Sequence, residues 1–266
     1  MPFLRSSRST LATVLALGLM LMSEMASASN NGAADPLYTV VVQDIDYYPI
    51  YRADSTDDRY SGYLRDVLDA FAESRGIRFE YRVRPVRRMI WEFIRGHYDF
   101  AMPDHPNWNK TDKSGLEVYY SVPLVRFSDG VYVRAGNGGI TTDRMVDYGT
   151  IHGFTPWKFQ DRIDQGQIEL ITASSPESLV RMALAGRVEV FNLAAPVAEY
   201  HFRKQGVSDR FEPATHLLPD KQSSYHLSSL KHPDLVNALN EFLLNSPELT
   251  RALKEKYRFP ESPLNH

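Results

Sequence analysis

The 266-residue sequence contains no cysteine. That absence excludes disulfides, thiolate metal ligands, cysteine nucleophiles and a lipid-modified N-terminal cysteine together. An excess of one charge is also lacking. Thirty Lys and Arg stand against 33 Asp and Glu, a formal net charge of -3, so no strongly basic surface is available and nucleic acid is not an expected partner. The eight histidines include no His-x-His or His-x-x-x-His pair, the local signature of a zinc site. Gly-x-Ser-x-Gly, Gly-x-Gly-x-x-Gly and P-loop motifs are missing as well. No cofactor, metal or catalytic group is therefore expected.

Long apolar runs are scarce too. The longest, Leu11 to Met22, is broken only by Thr13 and Gly18 and is shorter than the roughly 20 residues a bilayer requires. Arg5 and Arg8 precede it and Ala26-Ser27-Ala28 follows it, the arrangement of a cleavable export signal over residues 1–28. The mature chain would begin at Ser29 and hold 28 basic and 32 acidic residues. Export of a cysteine-free soluble protein points to the periplasm of a Gram-negative bacterium.

What is present is ordinary globular composition, 43% hydrophobic and 24% charged, over a length suited to two lobes. After a linker at residues 29–36, Tyr38 to Val42 reads as a strand and Asp46 to Pro49 as a loop. Leu64, Val67, Leu68 and Phe71 follow Gly62 at helical spacing. Gly76 stops that helix before a second strand, Arg78 to Val83. Pro85 opens a further helix with Ile90, Phe93 and Ile94, closed by Gly96, and Asp99 to Met102 starts a third strand. Alternating strands and helices predict a parallel α/β unit. A second unit runs from Gly149 through the helix Pro176 to Gly186, the strand Val188 to Leu193 and a helix from about Ala195 to Lys204. The stretches Arg88 to Phe100 and Ser178 to Val190 share one pattern: amphipathic helix, Gly stop, two residues, acid, apolar strand. Two chain crossings are expected, at Gly130–Arg134 and Ser223–Leu227, so that lobe 1 comprises residues 37–131 and 223–266 and lobe 2 is inserted as residues 132–222. That is the geometry of a hinged cleft binder.

In this order and spacing the residues resemble the bacterial extracellular solute-binding proteins of family 3, the polar amino-acid type. The resemblance covers about residues 37–258. It is carried by the first strand with Tyr48-Pro49, Gly62-Tyr63-Leu64-Arg65-Asp66, Gly96-His97-Tyr98-Asp99, Tyr119-Tyr120-Ser121-Val122-Pro123 and Gly186-Arg187-Val188-Glu189. It implies a two-lobed type II periplasmic binding protein fold that closes on a small-molecule ligand. The implied partner is the permease of an inner-membrane ABC-type importer, or alternatively a membrane sensor that reads the closed form. Similar proteins that bind α-amino acids carry Thr-x-x-Arg after the third strand and an Asp late in lobe 2. Here Asp104 to Lys113 holds no Arg, and Asn192 stands where the acid is expected, so a free α-amino acid is not the expected ligand.

Ligands in such folds sit beyond the strand C-terminal ends. Tyr47, Tyr48, Trp108, Phe154, Thr155 and Trp157 are candidate contacts on that ground, with Asn192 as a polar group. Arg87, in a helix first turn where a cation opposes the dipole, would be offset by a ligand anion or else lie on a solvated face. Ser174 precedes Pro176 and could cap a helix or meet a ligand. Asp104 with His105 imitates the acid–base pair of dehydratases that share the fold, a less favoured reading. A monomer is expected.

Overall fold

The computed structural model describes residues 35–54, 56–145, 147–218 and 222–259. The export signal expected over residues 1–28 lies outside the described residues. Strand β1 (Leu37–Gln43) buries Val40, Val41 and Val42 in succession, as a strand covered on both faces should. It pairs in parallel with β5 (Arg78–Arg84) on one side and β6 (Phe100–Asp104) on the other. Helix α1 (Tyr63–Arg75) crosses over to β5, and α2 (Val86–Phe93) crosses back past β1 to β6. Right-handed crossovers running in opposite directions must cover opposite faces of the sheet. Accordingly Leu64, Val67, Leu68 and Phe71 of α1 pack with Val40 and Val42, whereas Met89 and Phe93 of α2 pack with Val41 and Ala101.

The second half repeats the plan. Strand β9 (Asp147–Ile151) lies in parallel between β10 (Glu169–Ala173) and β11 (Val190–Ala194), with the short α3 (Gln160–Asp164) before β10 and α4 (Pro176–Leu184) after it. The order β10-β9-β11 corresponds to β5-β1-β6. The helix–Gly–acid–strand pattern seen twice in the sequence is thus α2–β6 in one half and α4–β11 in the other. Both helices end at a left-handed glycine, Gly96 (φ 73°) and Gly186 (φ 70°). Both stops are closed by the same backbone bond, His97 N–H to Glu92 O and Arg187 N–H to Met182 O. Helix α5 (Ala195–Gln205) then covers the second half-sheet through Val197, Ala198 and Phe202.

Each parallel set is flanked by one antiparallel strand, and these two strands join the halves. Strand β8 (Val125–Arg134) pairs through Val125–Ser128 with Gln222–Tyr225 of β13 (Gln222–Ser229). From Asp129 onward it pairs instead with β11 and, at its end, with β12 (Phe211–Pro213). The far part of β13 pairs with β6 and β7 (Tyr119–Tyr120). The last helices among the described residues are α6 (Pro233–Asn245) and α7 (Pro247–Lys256). The first crossing strand begins five residues earlier than Gly130, because the polar Ser128-Asp129 interrupts its apolar pattern.

One expected loop is ordered differently. After β1 the chain forms a small antiparallel sheet of β2 (Asp46–Tyr47), β3 (Tyr51–Asp54) and β4 (Arg59–Ser61). Strands of two to four residues give no readable period, but their tyrosines stack in a column. Ring centroids of Tyr47 and Tyr51 are 5.4 Å apart, Tyr51 and Tyr60 6.3 Å, Tyr60 and Tyr81 5.1 Å. Gly62 (φ 111°) lets this sheet fold back on α1, since a Cβ there would lie 2.7 Å from Tyr51 Cα.

Candidate functional site

An aromatic-walled cavity with polar groups lies between the halves, beyond the ends of β1, β6 and β9 and beside the two crossing strands. It encloses about 640 Å³, its open mouth included. Its apolar walls are Tyr47 from β2, Trp108 from the loop after β6, Phe127 from β8, Tyr148 from β9, Phe154 and Trp157 from the turn after β9, and Tyr225 from β13. Gln43, Thr150, Thr155, Ser223 and Asn192 place polar groups among them.

Tyr47 is positioned in part by a hydrogen bond that crosses between the halves. The Tyr47 phenol accepts from the Ala194 N–H at 3.0 Å and shares a hydrogen bond with Tyr225. Burial pushes the Tyr47, Tyr148 and Tyr225 phenols well above their ordinary pKa, so they remain neutral. Tyr47 meets the edge of Phe154 at 5.5 Å and Trp108 meets Tyr225 at 5.4 Å. His105 stacks on Trp157 across the cleft, with centroids 5.6 Å apart and planes within 18°. Burial, followed by the nearby His226 and Lys113 charges, pushes the His105 pKa down to about 4, leaving a neutral ring at pH 7.

One end of the cavity is charged. Lys158 Nζ lies 3.0 Å from Asp129 Oδ2 and donates to the Gln222 carbonyl at 3.1 Å. Asn192 Nδ2 donates to Asp129 Oδ1 and to the Gly130 carbonyl, both at 2.8 Å. At the mouth, Gly153 (φ 88°) allows the halves to meet: a Cβ there would sit 2.9 Å from Val86 Cβ. Such a set of groups can hold a flat ring between aromatic faces and satisfy a few hydrogen bonds. Among the described residues no cluster of three or more His, Asp or Glu could hold a metal ion.

Six residues singled out from the sequence line this cavity: Tyr47, Trp108, Phe154, Thr155, Trp157 and Asn192. Four lie elsewhere. Tyr48 points away from Tyr47, packing on Tyr200 at 4.7 Å beneath the Arg52 guanidinium. Asp104 is fully buried behind the wall. Its carboxylate takes Lys113 Nζ at 2.6 Å, the Ser228 hydroxyl at 2.7 Å and the His105 N–H at 2.7 Å. The pair anchors the loop that carries Trp108 and supplies no acid to the cavity. Arg87 is exposed next to Val86 and does not line the cavity, although its Cγ would lie 3.5 Å from a Cβ on Gly153 at the mouth. Ser174 borders a second cavity with Asp44, Pro85 and His152, while Ser175 caps α4 by accepting from the Ser178 N–H at 3.1 Å. Sequence reasoning did not reach Gln43, Asp129, Tyr148, Lys158 or Tyr225. Only Asp129 left a trace, as part of the polar Ser128-Asp129 pair that interrupts the apolar pattern of β8.

The architecture is that of solved proteins of low sequence identity. The BvgS periplasmic VFT2 domain of Bordetella pertussis superposes with a TM-score of 0.64 at 16% identity, covering 91% of this chain and 98% of that one. The GluR0 ligand-binding core of Nostoc punctiforme, solved with L-glutamate, gives 0.66 at 17% identity, covering 84% and 100%. An ancestral amino acid-binding protein, AncCDT-1, described as a precursor of cyclohexadienyl dehydratase, gives 0.63 at 18%, covering 83% and 95%. These likenesses establish the two-lobed fold. No curated protein matches the sequence. The profile of the bacterial extracellular solute-binding proteins, family 3, runs through residues 39–259, from the first central strand to just beyond the last helix, and the chain belongs to that family.

Proposed function

We propose that this chain is a periplasmic solute-binding protein that captures a small ring-bearing organic solute between lobes 37–131 with 223–266 and 132–222, and delivers it to an ABC-type importer. The carrying observation is the cavity itself, walled by tryptophan, tyrosine and phenylalanine side chains from both halves. Among the described residues no arginine lines it, so the usual grip on an α-carboxylate has no counterpart. The export signal at residues 1–28 and a mature start at Ser29 belong to this reading, as do a monomeric state and the absence of catalysis. The best acid–base candidate, Asp104 with His105, is occupied: the carboxylate is held by Lys113 and Ser228 away from the cavity.

A thermal-shift screen against amino acids, organic acids, sugars and nucleosides tests the ligand class, and solution scattering tests closure. Strong stabilisation by glutamine, histidine or arginine would defeat the non-amino-acid reading. A tight binder that leaves the radius of gyration unchanged would defeat the hinge.

A second reading is favoured by the likeness to the BvgS periplasmic domain: a sensing module whose closed form is read by a membrane receptor. Permease and ATPase genes beside this one would support import, and an adjacent sensor kinase or cyclase would support sensing.

A further inference from the structure

The charged end of the cleft bears directly on what can enter it. Among the described residues lining the cavity, Lys158 is the one cation and Asp129 the one carboxylate. They face each other at 3.0 Å, with only 4% and 14% of their side chains exposed. Both carboxylate oxygens are engaged, one by Lys158 and the other by Asn192. The Lys158 ammonium is held a second time by the Gln222 carbonyl on the crossing strand. A charge brought into such a site loses its hydration and meets no uncompensated counter-charge, while breaking the existing pair strands its partner.

We propose that Lys158 is a built-in counter-ion: its ammonium occupies the place that a ligand cation would take on Asp129, so the cleft selects uncharged ring-bearing solutes. The inference rests on the reading of this cavity as the binding site. The residue determines specificity by filling a subsite, and the aromatic walls supply the affinity. Removing Lys158 would leave Asp129 as a buried acid that seeks a ligand ammonium. Neutralising Asp129 would remove the negative charge nearest the Lys158 ammonium and so favour a ligand carboxylate there.

Three probes with one ring separate the charge states: tryptamine (cation), indole-3-acetate (anion) and indole-3-acetamide (neutral). Calorimetry on the full mature chain compares wild type, Lys158→Met, Asp129→Asn and the double variant. The wild type should take the amide at least about tenfold more tightly than either ion. Lys158→Met should gain at least about tenfold for tryptamine, Asp129→Asn the same for indole-3-acetate, and the double variant should gain neither. A merely structural ion pair would lower stability in both single variants without these probe-specific gains. Should Lys158→Met not fold, the gain of Asp129→Asn for the anion decides the matter. The proposal is overturned if the wild type holds either ion as tightly as the amide, or if the folded single variants gain nothing. Failure of the underlying binding reading shows differently: no solute of any charge, in the broad screen, would stabilise the wild type.

Discussion

The carboxylate of Asp104 and the ammonium of Lys113 are both withdrawn from water, and the Tyr120 hydroxyl at 2.9 Å completes the shell around the nitrogen. Removing one member of such a pair strands the other, which typically costs about 3–5 kcal/mol. Asp104→Ala should therefore lower the urea midpoint strongly, and Asp104→Ala with Lys113→Met should cost less than the two single changes added together. Histidine supplies the second residue-level expectation. Burial lowers the pKa of His105, to about 4, and of His226. The folded state thus binds fewer protons than the unfolded chain, whose histidines titrate near 6.5. This part of the stability is complete above that value and is lost as the pH falls toward about 4. The charges that disfavour the His105 cation after burial are His226, Lys113, Lys158 and Lys110; the Asp104 carboxylate next to it is held by Lys113 and Ser228. Melting temperature should fall on acidification through this window, and His105→Gln should flatten the decline.

Elements were legible where they are long. The stripe of α1, the uninterrupted valines of β1 and the two glycine-stopped helices each declared themselves through periodicity or a backbone need that a sequence shows. The short strands β2 to β4 did not, because two to four residues carry no period and the column of tyrosine rings that holds them is assembled from distant positions. The candidate site divided in the same way. Aromatic residues just after strand ends could be found, since topology alone puts them near the cleft. Asp129 and Lys158 could not, because their pairing depends on a turn bringing residue 158 back over a strand 29 positions earlier. Tyr48 illustrates the limit from the other side: a residue adjacent to a wall residue faces the opposite way. At the mouth, the turn after β9 makes its own prediction. Gly153→Ala would place a methyl 2.9 Å from Val86 Cβ at a positive φ. Overpacking of this kind costs about 1–3 kcal/mol. Part of the cost should appear as a more open molecule, seen as a larger radius of gyration.

At the scale of the whole molecule, the halves touch through contacts that need no ligand. Tyr47 receives the Ala194 N–H, Arg52 donates to the Tyr200 hydroxyl at 2.8 Å, and His105 lies flat on Trp157. Aromatic contacts of this kind contribute about 0.5–1.5 kcal/mol beyond area. Trp157→Ala should accordingly shift the open–closed balance toward open by about two- to tenfold, measurable by scattering on the unliganded protein. Arg52→Ala should do less, because that side chain is 41% exposed. If Trp157→Ala leaves the scattering profile unchanged, the stack does not hold the halves together.

The two crossing segments are bonded to one another as neighbouring strands, Gln222 opposite Ser128 through Tyr225 opposite Val125. Two separate threads would let one half swivel and slide against the other in any direction. A bonded ribbon behaves as a leaf spring: it flexes easily across its thin dimension and resists shear in its own plane, because shear would break the ladder. For the closure proposed above, such a ribbon favours motion close to a single angle. Every cleft residue, wherever the chain carries it, would then approach its partner along the same arc.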